Sequence, residues 1–132
     1  MTVTSPQDAI ASYIETGGYG TVGSTIFVDW SPPTPSDVVV VTGYSGAASN
    51  RALGQKAILI NRPKIQVLVR NADPSTALTN INAIQAYLEG TAGFTSSGVY
   101  VIYVTAISSG AMYLGKDSNN WTSYSTNFEV KV

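Results

Sequence analysis

The chain has 132 residues, with seven basic and eight acidic side chains and a net charge of −1, and it contains neither His nor Cys. These absences exclude imidazole acid–base chemistry, thiolate nucleophiles, disulfides and zinc sites built from Cys and His. The basic residues form no run of three, so the sequence offers no cluster for tight binding to a nucleic-acid backbone.

The length fits one domain with one core. Hydrophobic residues make up 44% of the chain and charged residues 11%, less than half of the usual ~25%. Small and uncharged residues must therefore cover much of the surface, and they are easier to desolvate than charges. This favours self-association, with a soluble monomer of polar surface as the alternative. The longest apolar runs, such as residues 99–104, are far shorter than the ~20 residues that span a bilayer.

The first predicted element is an amphipathic helix over residues 5–16. Ser5 can cap it, Pro6 suits its first position, and Asp8 lies near the positive end of the helix dipole. Two glycines follow at positions 17 and 18, and we expect them to end the helix because glycine readily enters the left-handed conformation.

Residues 25–30 predict a strand, and residues 38–41 predict a second one that is apolar on both faces. The prolines between them form a rigid connection that cannot donate ladder hydrogen bonds. Residues 42–56 lack a clear period, so we interpret them as a long loop or a hairpin arm. Such segments are usually functional or mobile.

Residues 57–60 and 64–70 predict strand segments that are interrupted near Pro63. The clearest helix follows, capped by Asp73 and ended by Gly90. Its apolar residues recur at helical spacing and form a stripe: Ala77, Leu78, Ile81, Ile84 and Leu88.

Residues 99–107 predict a strongly apolar central strand, and residues 108–120 a loop rich in Ser, Gly and Asn. Residues 122–132 alternate cleanly, which predicts an antiparallel strand with one buried and one wet face. The order helix, strands, helix, strands predicts a single α+β domain over residues 1–132. It has a mostly antiparallel sheet flanked by two helices, rather than a repeating βαβ fold.

Residues 18–23, Gly-Tyr-Gly-Thr-Val-Gly, match the dinucleotide-binding fingerprint in letters only. That fingerprint must follow a strand and open a helix. Here it follows a predicted helix and enters a predicted strand, so we interpret it as a flexible turn. The carboxylates are scattered at element ends, which disfavours a paired-carboxylate hydrolase. We predict no catalytic, cofactor-binding or metal-ligating residue.

The stretch PKIQVLVRNADPSTALTNINAIQAYLEG is a strand running into a capped helix, and VYVIYVTA and MYLGKDSNNWTSYSTNFEVKV follow it. The IQVLVRN strand, the helix after it, the Leu-Gly-Lys-Asp turn and a closing strand ending in Asn-Phe-Glu-Val resemble one known family. It comprises the tail terminator proteins of long-tailed bacteriophages, some of which are called minor capsid proteins. The resemblance covers well over half of the chain.

The resemblance implies a structural α+β protein that is not an enzyme and binds no cofactor. It implies a homohexameric ring at the head-proximal end of the tail tube. Such a ring halts polymerisation of the tube protein and offers a surface to a head-completion or connector protein. DNA is expected to pass through the ring without specific binding. The expected location is the virion tail, after assembly in the host cytoplasm, with no membrane involved.

Arginine suits subunit contacts because its planar fork meets carboxylates bidentately. We predict the residue 42–56 arm with Arg51, together with Arg62 and Asp117, as interface candidates. Ordinary solvation is the alternative for the basic side chains. Other functions stay open: another phage neck or tail tube subunit, a small ligand-binding module using Trp30, Trp121 or exposed tyrosines, or a small hydrolase that lacks an imidazole base.

Overall fold

The computed structural model describes residues 5–30, 32, 36–51, 58–96, 98–107, 110–117 and 119–132, with the backbone alone for 44–51 and 58–61. These residues form two helices and seven strands. In chain order the elements are α1 (Pro6–Thr16), β1 (Ile26–Val28), β2 (Val38–Arg51), β3 (Ile58–Asn71), α2 (Pro74–Leu88), β4 (Ala92–Ser96), β5 (Val99–Ala106), β6 (Met112–Lys116) and β7 (Thr122–Lys131).

The described strands all belong to one sheet. Six of them lie in the order β1-β2-β3-β7-β5-β4, and β6 pairs with β7. β1 runs parallel to β2, and the other described strand pairs are antiparallel. The predicted fold class, α+β with a mostly antiparallel sheet and two helices, is confirmed. The β1–β2 pair makes the sheet mixed.

Helix α1 begins as its sequence predicts. Ser5 and Asp8 form a reciprocal capping box: Ser5 Oγ accepts from Asp8 N at 3.2 Å, and Ser5 N donates to an Asp8 carboxylate oxygen at 3.3 Å. These bonds satisfy N–H groups that helix geometry leaves without partners. Gly18, with a φ of 85°, adopts the left-handed conformation just after the helix, as expected for its end.

Residues 18–23 form the predicted turn between α1 and β1. Gly18 and Gly23 both have a positive φ, of 85° and 90°, which glycine adopts without steric cost. The segment leads from a helix into a strand. It therefore cannot present a helix N-terminus to a pyrophosphate, and the interpretation as a turn is confirmed.

Helix α2 also begins at its predicted cap. Asp73 Oδ1 accepts from Ser75 N at 3.2 Å, and Pro74 opens the helix. Four members of the predicted stripe are buried, while Leu78 is 39% exposed. The stripe is thus correct except at Leu78.

Both helices pack on the same face of the sheet, and this interface is the core. Fully buried side chains of β3 and β7 meet fully buried side chains of both helices: Ile65, Val67, Val69, Phe128 and Val130 with Ile10, Ile14, Ile81 and Leu88. Burying each such side chain contributes about 1.5–3 kcal/mol. Folding free energy is therefore concentrated in the middle of the sheet.

Strand β3 runs through Pro63 without interruption, so the predicted break there is wrong. Tyr44 pairs with Lys64 and Ala47 with Arg62, which places Pro63 at an irregularity of the β2–β3 ladder. β7 pairs with β3 only from Lys64 onwards. Proline lacks an N–H, and a bulge on an edge without a ladder partner is where a strand tolerates it.

The segment 42–56 was predicted as a loop or a hairpin arm, and residues 42–51 continue β2 as one strand of such an arm. Residues 52–57 lie outside the described residues. The arm runs on beyond the core portion of the hairpin, because β1 pairs with β2 only as far as Val41.

Two strands were not predicted from the sequence. β4 follows α2 directly, and β6 lies within the predicted loop 108–120. Because β4 covers its outer side, β5 stands next to the edge of the sheet, and its prediction as the central strand is wrong. Both missed strands have five residues and contain a glycine, so neither is long enough to display a period.

Strands β5 and β6 run one after the other along the same partner. Ala106 pairs with Phe128 and Met112 with Ser125. The chain therefore advances six residues from β5 to β6, while their partners on β7 are only three residues apart. Between these pairs, Ile107 N donates to Asn127 O at 2.9 Å. β5 and β6 therefore act as one long strand interrupted by three additional residues.

Strand β7 confirms the predicted alternation on its helix side, where Thr126, Phe128 and Val130 are buried. Its other face is not uniformly wet, because Ser125 is fully buried there. Ser125 pairs with Leu68 on β3 and with Met112 on β6, so it lies between two longer apolar neighbours.

Candidate assembly surfaces

The sheet face turned away from the helices carries an open groove of about 400 Å³. Its floor comes from β2, β3 and β7, and Trp30 and Asp117 stand at its margins. Trp30 is 60% exposed and meets Phe27 edge-on, with ring centroids 5.1 Å apart. The groove is therefore amphipathic, with one large aromatic side chain open to solvent.

Arg70 ties three segments together at the end of this groove. Its Nη2 donates to the backbone oxygen of Pro32 at 2.9 Å, and its guanidinium carbon lies 5.0 Å from the centre of the Trp121 ring. Arg70 is buried. A cation held over an aromatic face is favourable, more so when water is excluded. Arg70 thus links β3 to Pro32 and to Trp121, which precedes β7.

The outer margin of the sheet at β5 and β6 is unusually apolar. Ten large hydrophobic side chains of the described residues are exposed, and seven of them lie within residues 100–114: Tyr100, Ile102, Tyr103, Ile107, Met112, Tyr113 and Leu114. We call this the apolar margin. A concentration of exposed apolar side chains on a small domain makes this region a candidate site of contact with another molecule.

The opposite side of the sheet carries the hairpin arm, which we define as residues 44–51 of β2 with 58–63 of β3. In the described structure the strand ladder pairs these two segments with each other and with no further strand. The ladder shifts register between Tyr44 and Ala47, between Ala47 and Asn50, and between Asn50 and Arg51. Bulges of this kind are frequent at sheet edges.

The three predicted interface residues fall into two places. Arg51 ends β2 opposite Ile58, and Arg62 lies opposite Ala47, so both belong to the arm. Asp117 follows β6 at the far end of β3, where Lys116 pairs with Thr122. Arg62 and Asn71 are nine positions apart along β3, about 30 Å at strand geometry. One protomer therefore does not bring Asp117 together with the two arginines.

Asp117 has a local task as well. Its Oδ1 accepts from Asn119 N at 2.9 Å and from Trp121 N at 3.0 Å, which closes the turn before β7. Asp side chains favour turns through such bonds. A test of Asp117 at an interface therefore calls for Asp117→Asn, which keeps the acceptor oxygen and removes the charge.

Sequence reasoning missed the apolar margin. A signal was present in Met112, Tyr113 and Leu114, a run of large apolar residues bounded by Gly110 and Gly115. Such a run between glycines is consistent with a short strand. The Ser, Gly and Asn residues around this run led to the prediction of a loop over residues 108–120.

An aromatic cluster joins both helices to β4. Tyr13 stacks on Tyr87 and on Phe94, with ring centroids 4.7 and 4.1 Å apart, and Tyr87 OH donates to the backbone oxygen of Tyr13 at 3.0 Å. Burial, followed by its interactions with the Tyr13 side chain, raises the pKa of Tyr87 to about 12. Burial disfavours the phenolate, so the hydroxyl stays neutral and acts as a structural donor.

The described part of the chain contains no cluster of metal-ligating side chains. No group of three Asp, Glu, His or Cys residues there could hold a metal ion. Among the same residues, no helix is long and apolar enough to cross a membrane. The surfaces that stand out are the groove, the apolar margin and the arm.

The family of the chain follows from its similarity to known proteins. A family model described as bacteriophage tail terminator protein matches residues 13–132, nearly the whole chain. The chain belongs to the bacteriophage tail terminator family. The resemblance noted from the sequence is thereby confirmed. This tail terminator matches no curated protein. The family is one of structural proteins of the phage tail, and its matched region contains all seven described strands.

Proposed function

We propose that this tail terminator forms a closed homohexameric ring on the head-proximal end of the tail tube. The ring stops the addition of tube subunits and then presents a surface to the head-completion or connector protein. The family match over residues 13–132 carries the proposal, because it assigns the chain to proteins named for ending a tail. The virion is accordingly the proposed location, after assembly in the host cytoplasm.

The arrangement of surfaces supports ring formation. The arm and the apolar margin lie on different sides of the β3–β7 pair, so two copies can join through two unlike patches. Contacts of that kind generate a ring when the rotation between neighbours closes. The low charge content lowers the cost of desolvating both patches. Arg51, Arg62 and Asp117 remain proposed interface residues.

The protein acts by binding energy alone in this proposal, with no catalytic step and no cofactor. Its net charge of −1 and its seven basic residues support a channel that DNA crosses without being held. Each phosphate contact by Lys or Arg strengthens binding to DNA through counterion release. Few such contacts leave transit unimpeded.

The test is tube assembly with and without the protein. Purified tail tube protein is polymerised in the presence of a rising concentration of this chain, and tube lengths are measured by electron microscopy. We expect shorter tubes with extra density at one end. Unchanged lengths and bare ends would contradict the proposal. If this chain alone grew into open cylinders, it would be a tube subunit instead.

A ligand-binding module is the second candidate, and the groove beside Trp30 favours it. A 60% exposed Trp over an amphipathic floor resembles platforms that bind sugars or peptides. Binding in this groove should quench Trp30 fluorescence, whereas Trp30→Phe should remove the response. A screen of oligosaccharides and short peptides without quenching would eliminate this candidate.

A further inference from the structure

Several stretches of backbone in the described structure have the geometry of a strand and lack a ladder partner on one side, among them the outer sides of β1, β4 and residues 58–63 of β3. Two others can join copies of the chain. The first is the outer side of β6, which pairs with β7 alone. The second is the outer side of β2 beyond Val41, where β1 has ended. Exposed strand edges present rows of N–H and C=O groups that are ready to pair with another chain.

The edge of β6 is only partly protected. Charged residues, prolines and bulges normally blunt an exposed edge. β6 has Lys116 and an irregularity next to Gly115, yet Met112, Tyr113 and Leu114 are all about half exposed. An edge with three large apolar side chains in five residues is built for contact with another chain rather than for water.

The arm offers a matching strand. Its Tyr44–Arg51 segment is eight residues long and exceeds the five residues of β6. Between its ends the sequence is mostly small residues: Ser45, Gly46, Ala47, Ala48 and Ser49. Small residues let a second backbone approach closely beside bulky neighbours. An isolated two-stranded ribbon is marginally stable in water, so a third strand would stabilise the arm itself.

The charges are compatible with this pairing. Arg51 lies at one end of the Tyr44–Arg51 segment, and Asp117 immediately follows β6. Within one protomer they occupy distant parts of the sheet. A contact between two copies can bring them within reach of each other, where the guanidinium fork suits a carboxylate.

From this geometry we infer that the Tyr44–Arg51 segment of one copy adds as a strand to the outer edge of Met112–Lys116 of a second copy. The inference rests on the proposed ring and names its contact. Main-chain bonds join the two sheets, and the apolar margin packs against the small residues of the arm. The contact is head-to-tail, because each copy gives an arm on one side and receives one on the other.

Disulfide trapping tests the contact directly, since the chain contains no Cys of its own. Leu114→Cys is combined in turn with Ser45→Cys, Ala47→Cys, Ala48→Cys and Ser49→Cys, and the full-length protein is oxidised under mild conditions. We expect at least one pair to form a disulfide between copies at least tenfold faster than the matched control, seen as a covalent ladder. Leu78→Cys replaces Leu114→Cys in that control, because Leu78 is similarly exposed but lies on α2.

Equal rates for the Leu114 and Leu78 series at every arm position would overturn the inference. A second measurement compares Leu114→Lys with Leu78→Lys by light scattering and by the tube-capping assay. We expect Leu114→Lys to weaken ring formation and Leu78→Lys to leave it unchanged. Normal rings from Leu114→Lys would overturn the inference.

The two proposals fail separately. If the wild-type chain caps tubes while no arm position gives a Leu114 disulfide, the proposed function stands and the strand contact is wrong. If the disulfide ladder forms while tubes keep growing, the contact stands and the capping function is wrong.

Discussion

The two halves of the β2–β3 hairpin make an instructive contrast. In the inner half, residues 38–43 pair with 65–70 in unbroken register, between β1 and β7 and beneath the helices. In the outer half the register shifts three times, and the ladder has no third strand in the described structure. The inner half supplies stability, and the outer half has backbone edges to offer to another molecule. Substitutions in the inner half should therefore change the free energy of unfolding, and substitutions in the outer half should change assembly.

The largest effect should come from Phe128→Ala, beside the inner half. Phe128 is fully buried and pairs with Ile65 beneath the helices. Truncating such a side chain leaves a cavity and should lower the free energy of unfolding by about 3–5 kcal/mol. Urea unfolding measures it, with Tyr100→Ala as the control because Tyr100 is 56% exposed. A similar loss in both variants would refute the assignment of stability to the middle of the sheet.

The next effect should come from Arg51→Glu, at the end of the outer half. If Arg51 meets a carboxylate of a neighbour, charge reversal should weaken assembly about tenfold, or by about 1.4 kcal/mol. The melting temperature of the monomer should stay the same. Light scattering over a concentration series measures the assembly. Arg51→Gln should lose less, because it adds no repulsion, and unchanged assembly in both variants would remove Arg51 from the interface.

A smaller effect of opposite sign should come from Thr126→Val. Thr126 lies on the helix side of β7, is 1% exposed, and its hydroxyl has no hydrogen-bond partner among the described residues. Replacing a buried, unsatisfied hydroxyl by a methyl group of similar size should stabilise the fold by about 1 kcal/mol. Thermal unfolding measures the gain. Thr95→Val, at an exposed position on β4, should change little, and a destabilised Thr126→Val would contradict the account.

The last effect should appear only in alkali. The pKa of Tyr87 in the folded state is raised to about 12, above the ordinary value of 10.0. Between these values the unfolded chain loses the proton while the folded chain keeps it, so stability should fall as pH rises from about 10 to 12. Unfolding measured across this range should show a flatter dependence for Tyr87→Phe. The same slope in both proteins would place its origin at other tyrosines.

The sequence predicted the parts of the fold that are encoded locally. Asp73 and Ser5 are caps that work through neighbours within three residues, and the stripe of α2 follows helical spacing. The order of the strands could not be predicted, because the β1–β2 and β3–β7 pairs depend on distant contacts. The strand break predicted at Pro63 was wrong because a proline weakens a strand only where the N–H that it lacks would have donated to the ladder. Whether that is so depends on which edge of the strand lacks a partner.

The candidate surfaces divide in the same way. Arg51 and Arg62 were predicted as interface residues because arginine is chemically distinctive, and the arm because residues 42–56 lacked a period. The apolar margin was missed because exposure is a property of the sheet, not of a residue type. Met112 and Leu114 would belong to a core in most sequences, and only the position of β6 outside β7 turns them to solvent.

The two tryptophans occupy environments different enough to serve as separate optical reporters. Trp121 lies under the guanidinium of Arg70 at 5.0 Å, whereas Trp30 is 60% exposed at the margin of the groove. Emission from Trp121 should change when the sheet unfolds, and emission from Trp30 when another molecule covers that face. With Phe at one position or the other, the fluorescence traces of the two variants could separate the loss of the fold from the making of a contact, without any attached dye.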